Sequence, residues 1–488
     1  MEVQEWVGLL GHWSSGEGPM YKLLAEALEK LILRGEIPAG TQLPAERQLA
    51  QLLAVSRTTV QSAYDSLRKE EWVESRTGSG TWVRPVSGAR SWQRGDTLVG
   101  SLKRNSIFDP QLRREQPLID LSMAGAGDPK SIPYSSYSLP EYEIARLLEQ
   151  QGYAPYGLPA LRQTIAGRYT QEGLPTTEDQ ILVTSGAQQA ISLAATLYLQ
   201  RGDSVLLENP TFVGAIDAFR AAGSRLIPVP IDGARLRVEL LPGLIRANTP
   251  QLIYVSPTCQ NPTGAVYSDG ERREIVRVAA EHSIPLLEDN TRYDLVLGGV
   301  DPPFLAAYGE DAPIITVGST SKLFWAGLRV GWVRAPQPVI ARLARLKIVA
   351  DLGTSLIPQA IAVRLFEHLD AIKARRREEM LEALGWMTYL MQEHLPSWRW
   401  SPPQGGPFLW VQLPCPDAQE FAQMALRHGT LVTPGLTMSV DGSHTSYLRL
   451  PFFLERKLLQ EGIVRLGEAW EAFLRVAGTE RQMAGVVV

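Results

Sequence analysis

Six short apolar runs rich in β-branched residues punctuate the middle of the chain: ILVT (181–184), SVLLE (204–208), LIYVS (252–256), IPLLED (284–289), IITVG (314–318) and LRVGWV (328–333). Amphipathic stretches separate them. Neighbouring parallel strands need long crossover connections, usually helical, so this alternation predicts an α/β domain with a mainly parallel sheet covered by helices. From about Ala371 the rhythm shifts to a long charged helix. Strand-like GPFLWVQL (406–413) and SYLRLPF (446–452) follow, which suggests a second, smaller lobe. With 488 residues the chain exceeds one ordinary core, and at least two domains are expected.

The bulk properties exclude more than they assert. A net charge of −4 offers no support for nucleic-acid binding. The two cysteines, Cys259 and Cys415, lie far apart, which argues against a disulfide framework or a cysteine-rich zinc site, and no metal site is expected. The start, MEVQEW, lacks the basic-then-apolar pattern of a signal peptide, and no apolar run is long enough to span a bilayer. The expectation is a cytoplasmic protein with no membrane role.

Residues 1–84 read as a separate module. Met20, Leu23, Leu24, Ala27, Leu28 and Leu31 form a helical apolar stripe. Pro44 and Glu46 suit the first turn of a second helix, where a missing N–H is harmless and negative charge meets the positive end of the dipole. Ala54-Val55-Ser56 makes a tight connection, and Ser56 is a good N-cap for a third helix. In that helix Val60, Ala63, Tyr64 and Leu67 face inward, while Arg57, Thr58 and Gln61 face outward. This is helix-turn-helix logic, in which the second helix of the pair offers polar residues to base edges in the major groove. Gly78-Ser79-Gly80, flanked by Trp72-Val73 and Thr81-Trp82-Val83, signals a hairpin that would form a wing. Between residues 20 and 84 stand nine Lys/Arg and eight Asp/Glu, so it is the motif and not the charge that points to DNA. Over nearly its whole length the module resembles the winged helix-turn-helix of the GntR regulators, through LPAERQLA, VSRTTV, AYDSL and GSGTWV. The resemblance implies Arg47, Arg57, Thr58, Thr59 and Gly78 as DNA-contacting positions, with Gln61 beside them. The bland alternative is a three-helix interaction module. Residues 85–117, where periodicity fades, read as a linker.

Beyond it, from 118 to 488, four separated segments carry chemistry. The first holds Ser319, Ser321, Lys322, Gly327 and Arg329. A lysine that bonds an aldehyde must be able to lose its proton, and the serines and arginine could converge on a phosphate. In the second, Asp289 follows an apolar strand, where a buried carboxylate needs a cationic partner such as a protonated pyridine nitrogen. The third, TSGAQQAI (184–191), follows a strand and opens a helix, so its N–H groups can hold a phosphate. In the fourth, SPTCQNPTG (256–264), Asn261 offers a donor to a ring oxygen. Each segment alone is commonplace. Together, each at a strand end, they fit the ligand edge of an open α/β sheet.

Residues 118–475 resemble the fold-type I pyridoxal 5′-phosphate (PLP) enzymes of the aspartate aminotransferase superfamily. The resemblance implies PLP on Lys322, Asp289 on the pyridine nitrogen and Asn261 on the ring hydroxyl. It places Ser185, Gly186, Ala187, Ser319 and Arg329 at the phosphate and Phe212 against the ring. Tyr153, with Tyr156 as a rival, would reach the phosphate of a partner subunit, and Arg449 would bind a substrate carboxylate. The superfamily's tyrosine near the ring hydroxyl is replaced here by Arg292. Either Tyr293 serves instead or the chemistry at the ring oxygen differs. A GntR head on an aminotransferase-like body is the architecture of the MocR subfamily. It implies a homodimer, head-to-tail and domain-swapped, that binds operator double-stranded DNA. Such a regulator would sense PLP or a small amino compound through an external aldimine, with little or no turnover. The alternative is an active aminotransferase with an accessory DNA-binding head.

Overall fold

The computed structural model of the chain describes residues 5–10, 13–14, 18–33, 36–38, 40–70, 72–76, 80–84, 118–124, 131–233, 235–309 and 313–484. The expected linker, 85–117, and Gly78 at the expected wing tip lie outside the described residues.

The head consists of helices Met20–Leu33, Glu46–Leu52 and Arg57–Lys69, followed by strands β1 (Val73–Arg76) and β2 (Gly80–Val83). β1 and β2 pair antiparallel, with Val73 opposite Val83. Leu24, Leu28, Leu49, Leu53, Val60, Ala63, Tyr64, Leu67, Val73 and Val83 share one core. Ser56 caps the recognition helix, its hydroxyl accepting from the Thr59 amide at 3.1 Å; such a cap contributes about 1 kcal/mol. The preceding helix starts later than the sequence suggests. Its first residue is Glu46, and Pro44 stands outside it, its carbonyl accepting a hydrogen bond from the Tyr64 hydroxyl at 2.9 Å.

In the body, β3 (Ile119–Leu121) comes first and belongs to the small lobe. The large sheet comprises β4 (Ile181–Thr184), β5 (Ser204–Asn209), β6 (Arg225–Asp232), β7 (Arg235–Leu236), β8 (Leu252–Val255), β9 (Leu286–Asp289), β10 (Ile314–Ser319) and β11 (Gly331–Arg334). Its eight strands run in the order β4-β11-β10-β9-β8-β5-β6-β7. The pairs from β10 through β9, β8 and β5 to β6 are parallel; β11 and β7 are antiparallel to their neighbours. One face packs on helices Ala187–Tyr198, Val213–Ala221 and Gln337–Asp351. The other packs on Leu241–Asn248 and Asp269–Glu281. The central strands are mostly apolar because both faces are covered.

The small lobe carries β12 (Arg399–Trp400), β13 (Phe408–Gln412), β14 (Thr430–Pro434) and β15 (Tyr447–Pro451), in the order β12-β13-β15-β14-β3. Helix Leu369–His394 is the long charged helix that the sequence suggests. The head rests on this lobe through Arg427, whose guanidinium donates to the carbonyls of Leu53 and Ala54 in the turn before the recognition helix.

Candidate functional site

The parallel strands bring their carboxyl ends to one edge, and the residues of interest leave from that edge. β4 runs into Ser185-Gly186, β8 into Ser256, β9 ends on Asp289, and β10 ends on Ser319, three residues before Lys322. Arg329 joins them because the antiparallel β11 starts at this edge, with Gly331 opposite both Ser319 and Thr184. The strand expected from residue 328 begins only at Gly331, since Arg329 adopts a left-handed conformation with φ of 52°.

Ser185, Gly186, Ala187, Ser319, Ser321 and Arg329 form one cradle. Arg329 Nη2 donates to the Ser185 carbonyl at 2.9 Å, and Ser319 Oγ donates to Ser321 Oγ at 3.0 Å. Helix Ala187–Tyr198 opens here with Gly186 at its N-cap, so its first amides point into the cradle without partners inside the helix. The Ser185 amide is already engaged by Gln189 Oε1 at 2.9 Å, so Ser185 can offer only its hydroxyl. A Cβ on Gly186 would stand 2.8 Å from Arg329 Nη2, and one on Gly331 would stand 2.7 Å from the Gly186 carbonyl carbon. The cradle therefore leaves no room for side chains at these two glycines.

Lys322 Nζ donates to the Ala124 carbonyl at 3.2 Å. Burial, then the charges of Arg292 and Arg449, pull its amine down to about 8. Asp289, 1% exposed, accepts from the Tyr254 hydroxyl at 2.7 Å and from the Thr291 amide and hydroxyl at 3.0 and 2.7 Å. Arg449 Nη1 donates to Asn261 Oδ1 at 3.1 Å and Nη2 to the Ser122 carbonyl at 2.6 Å. Its guanidinium lies 4.1 Å over the Phe408 ring, and its Nε has no partner. Burial first, then Arg292, pull it down to about 9, opposed by Asp120. Phe212 caps helix Val213–Ala221 at the same edge; a Cβ at Gly214 would stand 2.6 Å from its ring.

Residues 145–466 match the aminotransferase class I and II family. The chain belongs to this family. Residues 20–83 match the gntR family of bacterial regulatory proteins. The whole chain is similar to an uncharacterized HTH-type transcriptional regulator, YisV, of Bacillus subtilis, with 29% identity over 89% of this chain and 92% of the relative. It is 28% identical to the protein named "Probable rhizopine catabolism regulatory protein MocR" of Rhizobium meliloti, over 78% of each. Among solved structures, the α-aminoadipate aminotransferase LysN of Thermus thermophilus, complexed with N-(5′-phosphopyridoxyl)-L-leucine, superposes with a TM-score of 0.70. It is 26% identical, and the match covers 78% of this chain and 98% of LysN. The chain is thus a GntR-type helix-turn-helix joined to an aminotransferase-like domain, and the family and its phosphopyridoxyl-bound relative indicate PLP as the cofactor.

The aminotransferase-like domain fits that group. Asp289 is a buried carboxylate with no Lys or Arg within ion-pair distance among the described residues, which a protonated pyridine nitrogen would supply. Asn261 accepts from Arg449 with its oxygen, so its NH2 could donate to a ring oxygen. The orphaned Arg449 Nε awaits an acceptor.

Two expected residues stand elsewhere. Tyr293 does not serve the ring; this is a correction. Its hydroxyl donates to the Pro302 carbonyl at 3.1 Å and its ring stacks on Phe304 at 4.4 Å, inside the core. Arg292 turns to the site instead. Tyr153 is 71% exposed and touches nothing in the cradle, and Tyr156 lies under the Arg162 guanidinium at 5.5 Å. Tyr254, Thr291 and Gln189 escaped the sequence reading: inside LIYVS a tyrosine reads as core, and only pairing of β8 with β9 sets its hydroxyl on Asp289.

On the head, Arg47, Arg57, Thr58 and Gln61 are exposed and Thr59 is half-buried. Arg57 pairs with Glu46 at 3.2 Å, and both Thr58 and Thr59 hydroxyls contact Ser56 Oγ, at 2.7 and 2.8 Å. Among the described residues no acidic, histidine or cysteine cluster could hold a metal, and no helix is long and apolar enough to cross a membrane.

Proposed function

We propose that this chain is a MocR-type transcription regulator, acting in the cytoplasm, that carries PLP on Lys322 and answers to an amino compound. One observation carries the reading: a GntR head with an exposed recognition helix is joined to a body in which Lys322, Asp289, Asn261, Arg329 and Arg449 converge at one sheet edge.

The bound cofactor supplies an aldehyde that condenses with amines and an electron-withdrawing ring. Lys322, half-buried beside two guanidiniums, gives up its proton more readily than an ordinary lysine and is fit to bond that aldehyde. Asp289 would hold the ring nitrogen, Asn261 the ring oxygen, and Phe212 the ring face. Ser185, Gly186, Ala187, Ser319, Ser321 and Arg329 would hold the phosphate. Arg449 would take the carboxylate of an amino-compound effector. Because Arg449 lies on β15, paired through Thr433 with β14, and Arg427 ends the helix leading into β14, an effector would bias the lobe that touches the head.

Tyr142, Leu148, Tyr153, Trp325, Val349, Leu352 and Ile357 are exposed on the body. A second copy would cover such residues, completing the site with Tyr153 and presenting two heads to two operator half-sites, in a head-to-tail, domain-swapped arrangement. On this reading the chain divides at 84 and 118, with Arg47, Arg57, Thr58, Thr59, Gln61 and Gly78 at the DNA.

The test is an operator-binding titration with and without PLP and a panel of amino acids, alongside a turnover assay with amino acid and 2-oxo acid. Affinity that shifts with the small molecule in the native protein but not in Lys322→Ala supports the reading. Multiple turnover at ordinary enzyme rates, about 1 per second or faster, together with small-molecule-independent DNA binding, would favour the aminotransferase alternative.

A further inference from the structure

Arg292 occupies the position at which the resemblance expects a tyrosine beside the ring hydroxyl, and the nearby tyrosines are committed elsewhere. Tyr293 donates to Pro302, and Tyr254 donates to Asp289. Arg292 is 4% exposed and is held by two bonds, Nε to the Cys259 carbonyl at 2.9 Å and Nη2 to Ser256 Oγ at 3.3 Å. Its Nη1 has no partner, and no carboxylate lies within ion-pair distance of it, among the described residues. A buried cation without an anion is costly, so this pocket lacks a negative group that a ligand must bring. Ser256 connects the site further: its hydroxyl donates to the Asp289 carbonyl at 3.2 Å, so the arginine is anchored on the loop that also carries Asn261.

We propose that Arg292 replaces the tyrosine, donating to the ring oxygen of the cofactor and keeping the Lys322–cofactor link unprotonated at neutral pH. The inference rests on Lys322 carrying PLP. A guanidinium is charged at neutral pH, where a tyrosine hydroxyl is neutral. A fixed positive charge favours the ring oxygen as an anion and opposes a proton on the neighbouring nitrogen. The groups that face Lys322 agree in sign. Arg292, following β9, and Arg449, on β15, both disfavour a proton there. Asp289 is taken up with Tyr254 and Thr291 and is reserved for the far side of the ring. Asp120, on β3, acts on Arg449. The Cys259 thiol, pushed up to about 12 by burial, stays neutral.

The experiment is a pH titration of the full-length, PLP-loaded protein, following the absorbance bands of the protonated and unprotonated link. Arg292→Leu should raise the protonation constant on the order of tenfold or more, so that the protonated band persists to higher pH. Arg292→Lys, which keeps the charge, should stay near the native midpoint. Arg292→Gln is the second neutral variant should the leucine protein fail to fold. Unchanged midpoints in the neutral variants overturn the proposal. So does an unchanged midpoint with weakened binding of L-glutamate or L-alanine, which would assign the guanidinium to the effector carboxylate beside Arg449. A native protein whose spectrum with PLP equals that of Lys322→Ala would instead refute the assignment of Lys322, a separate failure.

Discussion

Placing alanine at Gly186 probes the proposed phosphate cradle through its backbone. Gly186 adopts φ of 108° and ψ of 168°, a region that is almost closed to other residues. Holding alanine there costs about 1–3 kcal/mol. The new Cβ would also stand 2.8 Å from Arg329 Nη2 and 3.3 Å from its Cζ. Relief comes either by rotating the backbone, which turns the first amides of helix Ala187–Tyr198 away from the cradle, or by moving Arg329 off the Ser185 carbonyl. Both routes remove donors from the phosphate. If the strain falls on the bound state, PLP affinity should drop roughly five- to hundredfold, at about 1.4 kcal/mol per tenfold. The assay is a titration of PLP-free protein with PLP, followed by absorbance, with thermal melts in parallel. Gly385→Ala is the control: it lies inside helix Leu369–His394 with nothing within 4 Å of the added Cβ. It should leave PLP binding unchanged and gain about 0.5–1 kcal/mol of stability. Native-like PLP affinity in Gly186→Ala would refute the reasoning, because it would mean that neither the amides nor Arg329 hold the phosphate.

The remaining expectations are shorter. Arg57→Ala should weaken operator binding and flatten its salt dependence while PLP uptake is unchanged, as gel shifts at several salt concentrations would report; loss of both would indicate misfolding. Only the uncharged lysine bonds an aldehyde, and the Lys322 amine is pulled down to about 8, so the rate of PLP uptake should rise through about pH 8. A rise centred near the ordinary lysine value in stopped-flow absorbance would contradict the burial argument. Arg427→Ala removes the donors on the Leu53 and Ala54 carbonyls, so amide exchange around residues 53–56 should quicken without change in the PLP spectrum. Unchanged exchange would show that the head does not depend on this contact.

Much of this was legible in residue order because the signals are local. Ser56 caps its helix through an amide three residues on, and Val60, Ala63, Tyr64 and Leu67 are buried at helical spacing. The six apolar runs fall on strands β4, β5, β8, β9, β10 and β11, because a strand covered on both faces is apolar over most of its length. The convergence of Lys322 and Asp289 at strand ends follows from that alternation. What sequence alone left open depends on neighbours far along the chain. Arg292 and Tyr293 are adjacent, and nothing local says which one enters the site. Phe304 and Pro302 draw the tyrosine into the core, and Cys259 and Ser256 hold the arginine at the edge. Tyr254 meets Asp289 only through the pairing of β8 with β9, and Arg449 meets Asn261 only because the small lobe closes over the large sheet. The sequence by itself determined the two halves, six strands of the large sheet and the placing of Lys322 just past a strand end. The tertiary structure decided which charges surround that lysine, since burial and long-range pairing, and not residue type, set the electrostatics of a closed pocket.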